Sequence, residues 1–184
     1  MNNFRKYNGA LIPSNPPHID VDIKDIKQRL IQENAYLARW TSDFDSEKER
    51  EFWYVICDKK VDFSNYSRNT RSKISRSKKY LDVRKITKGI LIEQGFKVYK
   101  KAQTRYKSVL FPKTQKVFVN ELLDLDMHWD FWGVFIKDSD SLVAYSINQL
   151  SSQSCDYSTT KFDPHYLSKY SSYLLYHTMN EYYL

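Results

Sequence analysis

Phe131-Trp132-Gly133-Val134-Phe135-Ile136, Lys137-Asp138-Ser139-Asp140-Ser141 and Leu142-Val143-Ala144-Tyr145-Ser146-Ile147 form the stretch that decides the fold. Two runs of β-branched and aromatic residues flank five charged or polar ones, which is the pattern of an antiparallel hairpin. Upstream, Tyr80-Leu81-Asp82-Val83-Arg84-Lys85-Ile86 alternates with period two and reads as a strand. Thr87 is placed to cap a helix whose stripe is Phe96, Tyr99, Tyr106 and Leu110, with Lys100, Lys101, Arg105 and Lys107 outside. Pro112 ends that helix, and Thr114 caps a shorter one with Val117, Phe118, Leu122 and Leu125 inward. Downstream, residues 154–161 read as a third strand rich in Ser, Thr and Tyr. Asp163-Pro164 opens a last helix carrying Leu167, Tyr170, Leu174, Tyr176 and Met179. From residue 80 the order is therefore strand, helix, short helix, three antiparallel strands, helix.

The first sixty residues are less regular. Residues 9–19 read as a loop with a short strand-like start broken by Pro13, Pro16 and Pro17. Residues 22–39 carry a helical pattern at Ile23, Ile26, Leu30, Ala35 and Leu37. Phe52-Trp53-Tyr54-Val55-Ile56-Cys57-Asp58 reads as a strand. We divide the chain into a lead-in over 1–63 and a domain over 64–184.

Composition narrows the function. With 184 residues, 41% of them hydrophobic, the chain can bury a core. Only four glycines stand beside 15 Tyr and 10 Phe, which leaves little for Gly-rich phosphate loops. Most tyrosines in such a chain pack at the core edge with the hydroxyl wet. No run reaches the roughly 20 apolar residues that span a bilayer, and the polar start lacks a signal peptide, so a cytoplasmic chain without a membrane span is expected. Cys57 and Cys155 stand far apart and are expected as free thiols. The four histidines are scattered, so no metal site is expected.

Charge is uneven. Residues 1–110 hold 24 Lys and Arg against 13 Asp and Glu, and residues 111–184 hold 5 against 9. Within the basic half, Arg68-Asn69-Thr70-Arg71-Ser72-Lys73-Ile74-Ser75-Arg76-Ser77-Lys78-Lys79 has six cations in twelve residues and one aliphatic residue, Ile74. It reads as an exposed helix, with Arg68, Arg71, Lys78 and Lys79 on one face. Arg68, Arg71, Arg76 and Lys79 are the candidates for binding an anion, because guanidinium groups match phosphate geometry. The plainer alternative is a solvated face that keeps the protein soluble.

This basic helix, the Gly95-Phe96-Lys97-Val98-Tyr99 segment and the hairpin at Trp132-Gly133-Val134-Phe135 and Leu142-Val143-Ala144-Tyr145 resemble a GNAT-type acyltransferase of the FemAB-like kind. The resemblance covers residues 64–184. It implies an α/β (α+β) fold: a GNAT-like mixed sheet with flanking helices, incomplete at the C-terminus because the fold's closing strands and fourth helix do not follow. It implies acyl transfer from an acyl-CoA, such as acetyl-CoA, or an aminoacyl donor to an amine of a sugar or a cell-wall or surface polysaccharide precursor. The early ending implies an inactive relative, or a half whose sheet is completed by a homodimer or partner chain.

On that resemblance the acyl donor lies along the fourth strand of the fold, near Tyr157, Thr159, Thr160 and Tyr166. Asp156 is the candidate base for the attacking amine, and His165, just inside a helix start, a second one. The plainer readings are a strand-edge carboxylate and a surface histidine. The stretch Thr159-Thr160-Lys161-Phe162-Asp163-Pro164-His165-Tyr166 departs from the family. It has no glycine, Asp163 would repel a phosphate, and Pro164 removes an amide donor. A different class of function is a nucleic-acid-binding module that uses the basic half and its interleaved Tyr and Phe.

Overall fold

A computed structural model describes residues 4–7, 9–48, 55–105 and 112–184. The chain divides into two units, 1–56 and 57–184. In the first, β1 (Phe4–Tyr7) and β2 (Ala10–Pro13) form an antiparallel hairpin, and β3 (Leu37–Ala38) pairs in parallel with β2. The loop expected over 9–19 thus begins as a strand. Gly9 takes a φ of +77° in the turn, a conformation that suits glycine. The helix expected over 22–39 shrinks to α1 (Ile26–Gln32), which buries none of its residues. Its pattern continued in the sequence, but Asn34 adopts a φ of +48° and stops the helix. Arg29 ties α1 to the hairpin, donating to the Phe4 carbonyl at 3.1 Å and pairing with Glu33.

The strand expected over 52–58 falls partly outside the described residues. Residues 55–58 have no regular structure, and Val55 is 77% exposed.

The second unit is a mixed α/β fold with a four-stranded antiparallel sheet and flanking helices. Its elements are α2 (Arg68–Ser77), β4 (Leu81–Ile86), α3 (Lys88–Gln103), α4 (Gln115–Leu123), β5 (Trp129–Ile136), β6 (Leu142–Leu150), β7 (Cys155–Phe162) and α5 (Ser171–Tyr183). The sheet order is β4-β5-β6-β7. The hairpin stands as expected, in a register that pairs Phe131 with Ile147 and Gly133 with Tyr145. A bulge at Val143 shifts the register beside the turn.

Local chemistry sets the helix starts. Ser67, Thr87 and Thr114 each accept the amide of the third residue on, so orphan donors are satisfied at the first turns of α2, α3 and α4. The far end of α3 differs from expectation. It stops at Gln103, nine residues before Pro112, where the polar Gln103-Thr104-Arg105 carries nothing to bury. Tyr106 and Leu110 lie outside the described residues. In α4, Phe118 and Leu122 are buried, but Val117 is 44% exposed, and Leu125 is half-buried just past the helix end.

Each sheet face carries its own core. Ile86, Phe131, Phe135, Leu142 and Tyr145 pack with Leu91, Val98, Tyr99, Phe118 and Leu122 of α3 and α4. On the other face Leu81, Trp132, Val134 and Ala144 pack with Ile74 of α2 and Leu174, Leu175 and Met179 of α5. Gly133 lies where a Cβ would come within 2.7 Å of the Phe135 ring and 2.8 Å of Leu142. The sheet closes over that position only because no side chain is there.

The last helix is two pieces. A 3-10 turn over Pro164–Lys169 precedes α5, and Tyr170 between them takes a φ of +59°. Leu174 and Met179 face the core as the spacing predicted. Tyr176 is 39% exposed, and Leu175 is buried beside Leu174. The left-handed residue resets the helical phase after Leu167 and Tyr170.

Candidate functional site

The expected donor stretch is built on β7 and the 3-10 turn. Asp156 is exposed at the start of β7, and its carboxylate accepts Ser158 Oγ at 2.5 Å. His165 is exposed beyond the other end of the strand, so at about 3.3 Å per residue the two candidate bases stand more than 20 Å apart along the chain. They are not brought together. Tyr157 turns to α5, donating to Asn180 Oδ1 at 2.8 Å, and burial raises its pKa. Thr160 lies 3.3 Å from Ser146 Oγ, Thr159 pairs with Ile147 in the ladder, and Tyr166 packs half-buried against the α5-side core.

Asp163 does not present its charge to a ligand. It is 4% exposed, its Oδ1 accepts the His165 amide at 3.1 Å, and its Oδ2 meets Lys101 Nζ at 2.5 Å. A carboxylate spacing N–H and ammonium partners in this way serves as a cap and a tie to α3. Lys101 stays on the outer face expected for it, and only its ammonium group reaches Asp163. Cys57 and Cys155 are free; Cys155 is half-buried, and burial pushes its thiol up to about 12, partly countered by Tyr183.

The basic helix forms over Arg68–Ser77, and its faces divide differently from the expected one. Ile74 and Ser77 are buried against the α5-side core. Arg71 donates to the Ser64 carbonyl, and Lys78, just past the helix, lies over the Phe63 ring. Lys73 instead meets α5, with Nζ 2.8 Å from Tyr173 Oη and 4.5 Å from its ring centre. Arg76 lies 5.8 Å over Tyr170 and also bonds Ser72. Arg68 and Lys79 are exposed.

Sequence reasoning missed a polar cluster at the end of the sheet where β4 and β6 finish and β5 and β7 begin. Tyr183 Oη accepts from Trp132 Nε1 at 2.8 Å and donates to Asp130 Oδ2 at 2.8 Å. Lys85 Nζ also reaches Asp130 Oδ2 at 2.8 Å. Partial burial works against the Lys85 charge, but bonding to Asp130 and Tyr182 outweighs it and raises the pKa. Burial, foremost, raises that of Tyr183. Ser146 Oγ donates to Asn148 Oδ1, and Asn148 Nδ2 points to Met179 and Tyr183. Every hydroxyl in this cluster has a partner, so it anchors the end of α5 to the sheet. The only sequence signal was the Tyr182-Tyr183 pair on a helix that otherwise repeats with helical period.

A groove of about 660 Å³ runs along β4, lined by Leu81, Val83, Arg84, Phe135, Leu174 and Thr178 among others. Arg84 is already engaged there, 2.7 Å from Asp140 and stacked 4.0 Å over Phe135. Among the described residues no three His, Cys, Asp or Glu side chains gather as a metal set, and no helix is long and apolar enough to cross a membrane.

Neither a family model nor a curated protein matches the chain. Among solved structures it is similar to the ribosomal-protein-S18-alanine N-acetyltransferase from Escherichia coli, at 15% identity and a TM-score of 0.41, with 55% of this chain and 58% of that one covered. The match spans less than two thirds of that enzyme's length.

Proposed function

We propose that the 57–184 unit is an acyl-transfer module of the GNAT type. The observation that supports it is topological. Two helices are inserted between β4 and β5, a three-strand meander follows, and the chain returns as α5 on the opposite sheet face. That is the order in which a GNAT domain begins. In this reading the donor, an acyl-CoA such as acetyl-CoA or an aminoacyl ester, lies along β7 near Thr159, Thr160 and Tyr166. The cations of α2 draw it in, and the acceptor is an amine on a sugar or a surface polysaccharide precursor. The amine nitrogen attacks the acyl carbon, a C–N bond replaces the C–S bond of the thioester or the C–O bond of the aminoacyl ester, and the amine proton passes to Asp156. The thiolate or alkoxide leaves and takes a proton from water. Asp156 suits the base role because it is open to solvent at the strand start and holds only one short bond, from Ser158. The outer edge of β7 is also where a strand from a second copy or a partner chain would add.

Thermal unfolding with acetyl-CoA and with aminoacyl donors tests donor binding. A ligand at 100 times its Kd stabilises by about 2.7 kcal/mol, a shift of several degrees. No shift with any donor would overturn the reading. If a donor binds, Asp156→Asn should leave that shift in place and lower the transfer rate about 10²-fold or more.

A further inference from the structure

The net charge of the molecule has one address. Residues 67–80 and 164–180 hold seven Lys and Arg with no Asp or Glu, so the rest of the chain, with 22 of each sign, is neutral. The fold brings these two segments together, α2 packing on α5 and on the 3-10 turn before it. Among the described residues none of the seven cations has a carboxylate partner. Among the described residues, the Lys and Arg side chains of this unit seen in ion pairs include Lys60, Arg84, Lys85, Lys101 and Lys113, all outside the two segments.

Three of the seven lie on tyrosines instead. Lys73 sits over Tyr173 and within 6.0 Å of the Tyr170 ring centre, Arg76 over Tyr170, and Lys169 4.5 Å over Tyr80. Tyr170 and Tyr173 meet edge to face at 6.2 Å. Tyr80 is 51% and Tyr173 38% exposed. The result is a surface that sets positive charge beside ring faces. Arg68 and Lys79 extend it along a helix about 15 Å long.

From this juxtaposition we infer that the surface formed by α2, the 3-10 turn and the start of α5 binds single-stranded nucleic acid. Phosphates take Lys73, Arg76, Lys79 and Lys169, and bases stack on Tyr80 and Tyr173. A uniformly basic surface would suit any polyanion. The interleaved, half-exposed rings select a ligand that carries flat π faces at regular intervals along its charge. A lipid headgroup layer has none. The inference uses the same α2 cations that the proposed function assigns to drawing in a donor, but it needs neither β7 nor acyl transfer.

Fluorescence anisotropy with a labelled oligouridine of about 15 nucleotides tests it. Four phosphate contacts to a single strand predict that log K falls against log salt with a slope of about −3. Lys73→Gln with Arg76→Gln should flatten that slope by about one unit and weaken binding at least tenfold at low salt. Tyr173→Leu and Tyr80→Leu should each weaken it about fivefold or more with the slope unchanged. Circular dichroism confirms that each variant is folded. No binding at low salt would overturn the inference. So would binding indifferent to both tyrosine changes, or tighter binding to phosphatidylserine vesicles that the oligonucleotide does not displace. A loss of acetyl-CoA binding would leave it untouched.

Discussion

Lys85 and Lys73 sit on opposite sides of a distinction that runs through the second unit. Lys85 is 2.8 Å from the Asp130 carboxylate, inside a cluster that closes the end of the sheet with Tyr183, Trp132 and Asn148. Lys73 has a tyrosine ring and hydroxyl but no carboxylate, on a surface without an acidic residue. Paired cations here hold elements together: Lys101 holds the start of the 3-10 turn to α3, and Lys113 meets Glu121 of α4. The unpaired ones keep most of their attraction for an anion. Cations that tie elements together are thus separable in this molecule from cations left without a carboxylate.

That separation can be broken from either side. Asp130→Ala removes the acceptor of both Tyr183 and Lys85 and should cost about 2–3 kcal/mol in urea unfolding. Loss under about 0.5 kcal/mol would place the cluster outside the stability of the fold. Tyr183→Phe leaves the buried Trp132 indole N–H without its acceptor and should cost about 1–2 kcal/mol by the same measurement.

The contact of α5 with the segment just before α2 gives a smaller, pH-dependent effect. His177 packs against Phe63 and Tyr66 at 5.4 and 5.7 Å between ring centres. Burial lowers its pKa and Lys78 adds to that, with Glu181 opposing. The unfolded chain therefore takes the proton first. Stability is unaffected above the usual histidine range and falls as pH drops from about 6.5 toward the folded value. Urea midpoints at pH 7.5 and 5.5 should differ more in the native protein than in His177→Phe. Least of all, Lys73→Gln with Arg76→Gln should change stability by about 0.5 kcal/mol or less, since neither cation has an ion pair to lose. A loss as large as that of Asp130→Ala would erase the distinction.

Much of the fold was legible because the information was local. The hairpin at 131–147 announced itself by alternation between apolar runs and a polar turn, and Thr87 and Thr114 cap as their positions predicted. The basic helix formed where its charge pattern placed it. What failed had no local signal, or a signal outweighed by context. Phe4–Tyr7 mixes apolar and basic residues over only four positions, and Asn8-Gly9 between it and Ala10–Pro13 was the overlooked hairpin cue. Nothing about a tyrosine announces the left-handed backbone at Tyr170. The Tyr183 cluster joins β4, β5, β6 and α5, so its members converge only once the sheet exists. The basic helix was half legible: its charge was plain, but the rings that Lys73 and Arg76 meet lie about a hundred residues away.

Gly133 carries a consequence for the history of this sheet. With the Phe135 ring, Leu142 and Ile86 closed over it, a methyl group there demands that a neighbour shift or shrink. Related chains that keep this sheet but place alanine or more at that point should carry a smaller residue at the position of Phe135 or Leu142. The three sites would then drift as a linked set, a covariation that an alignment of relatives can reveal without any assay.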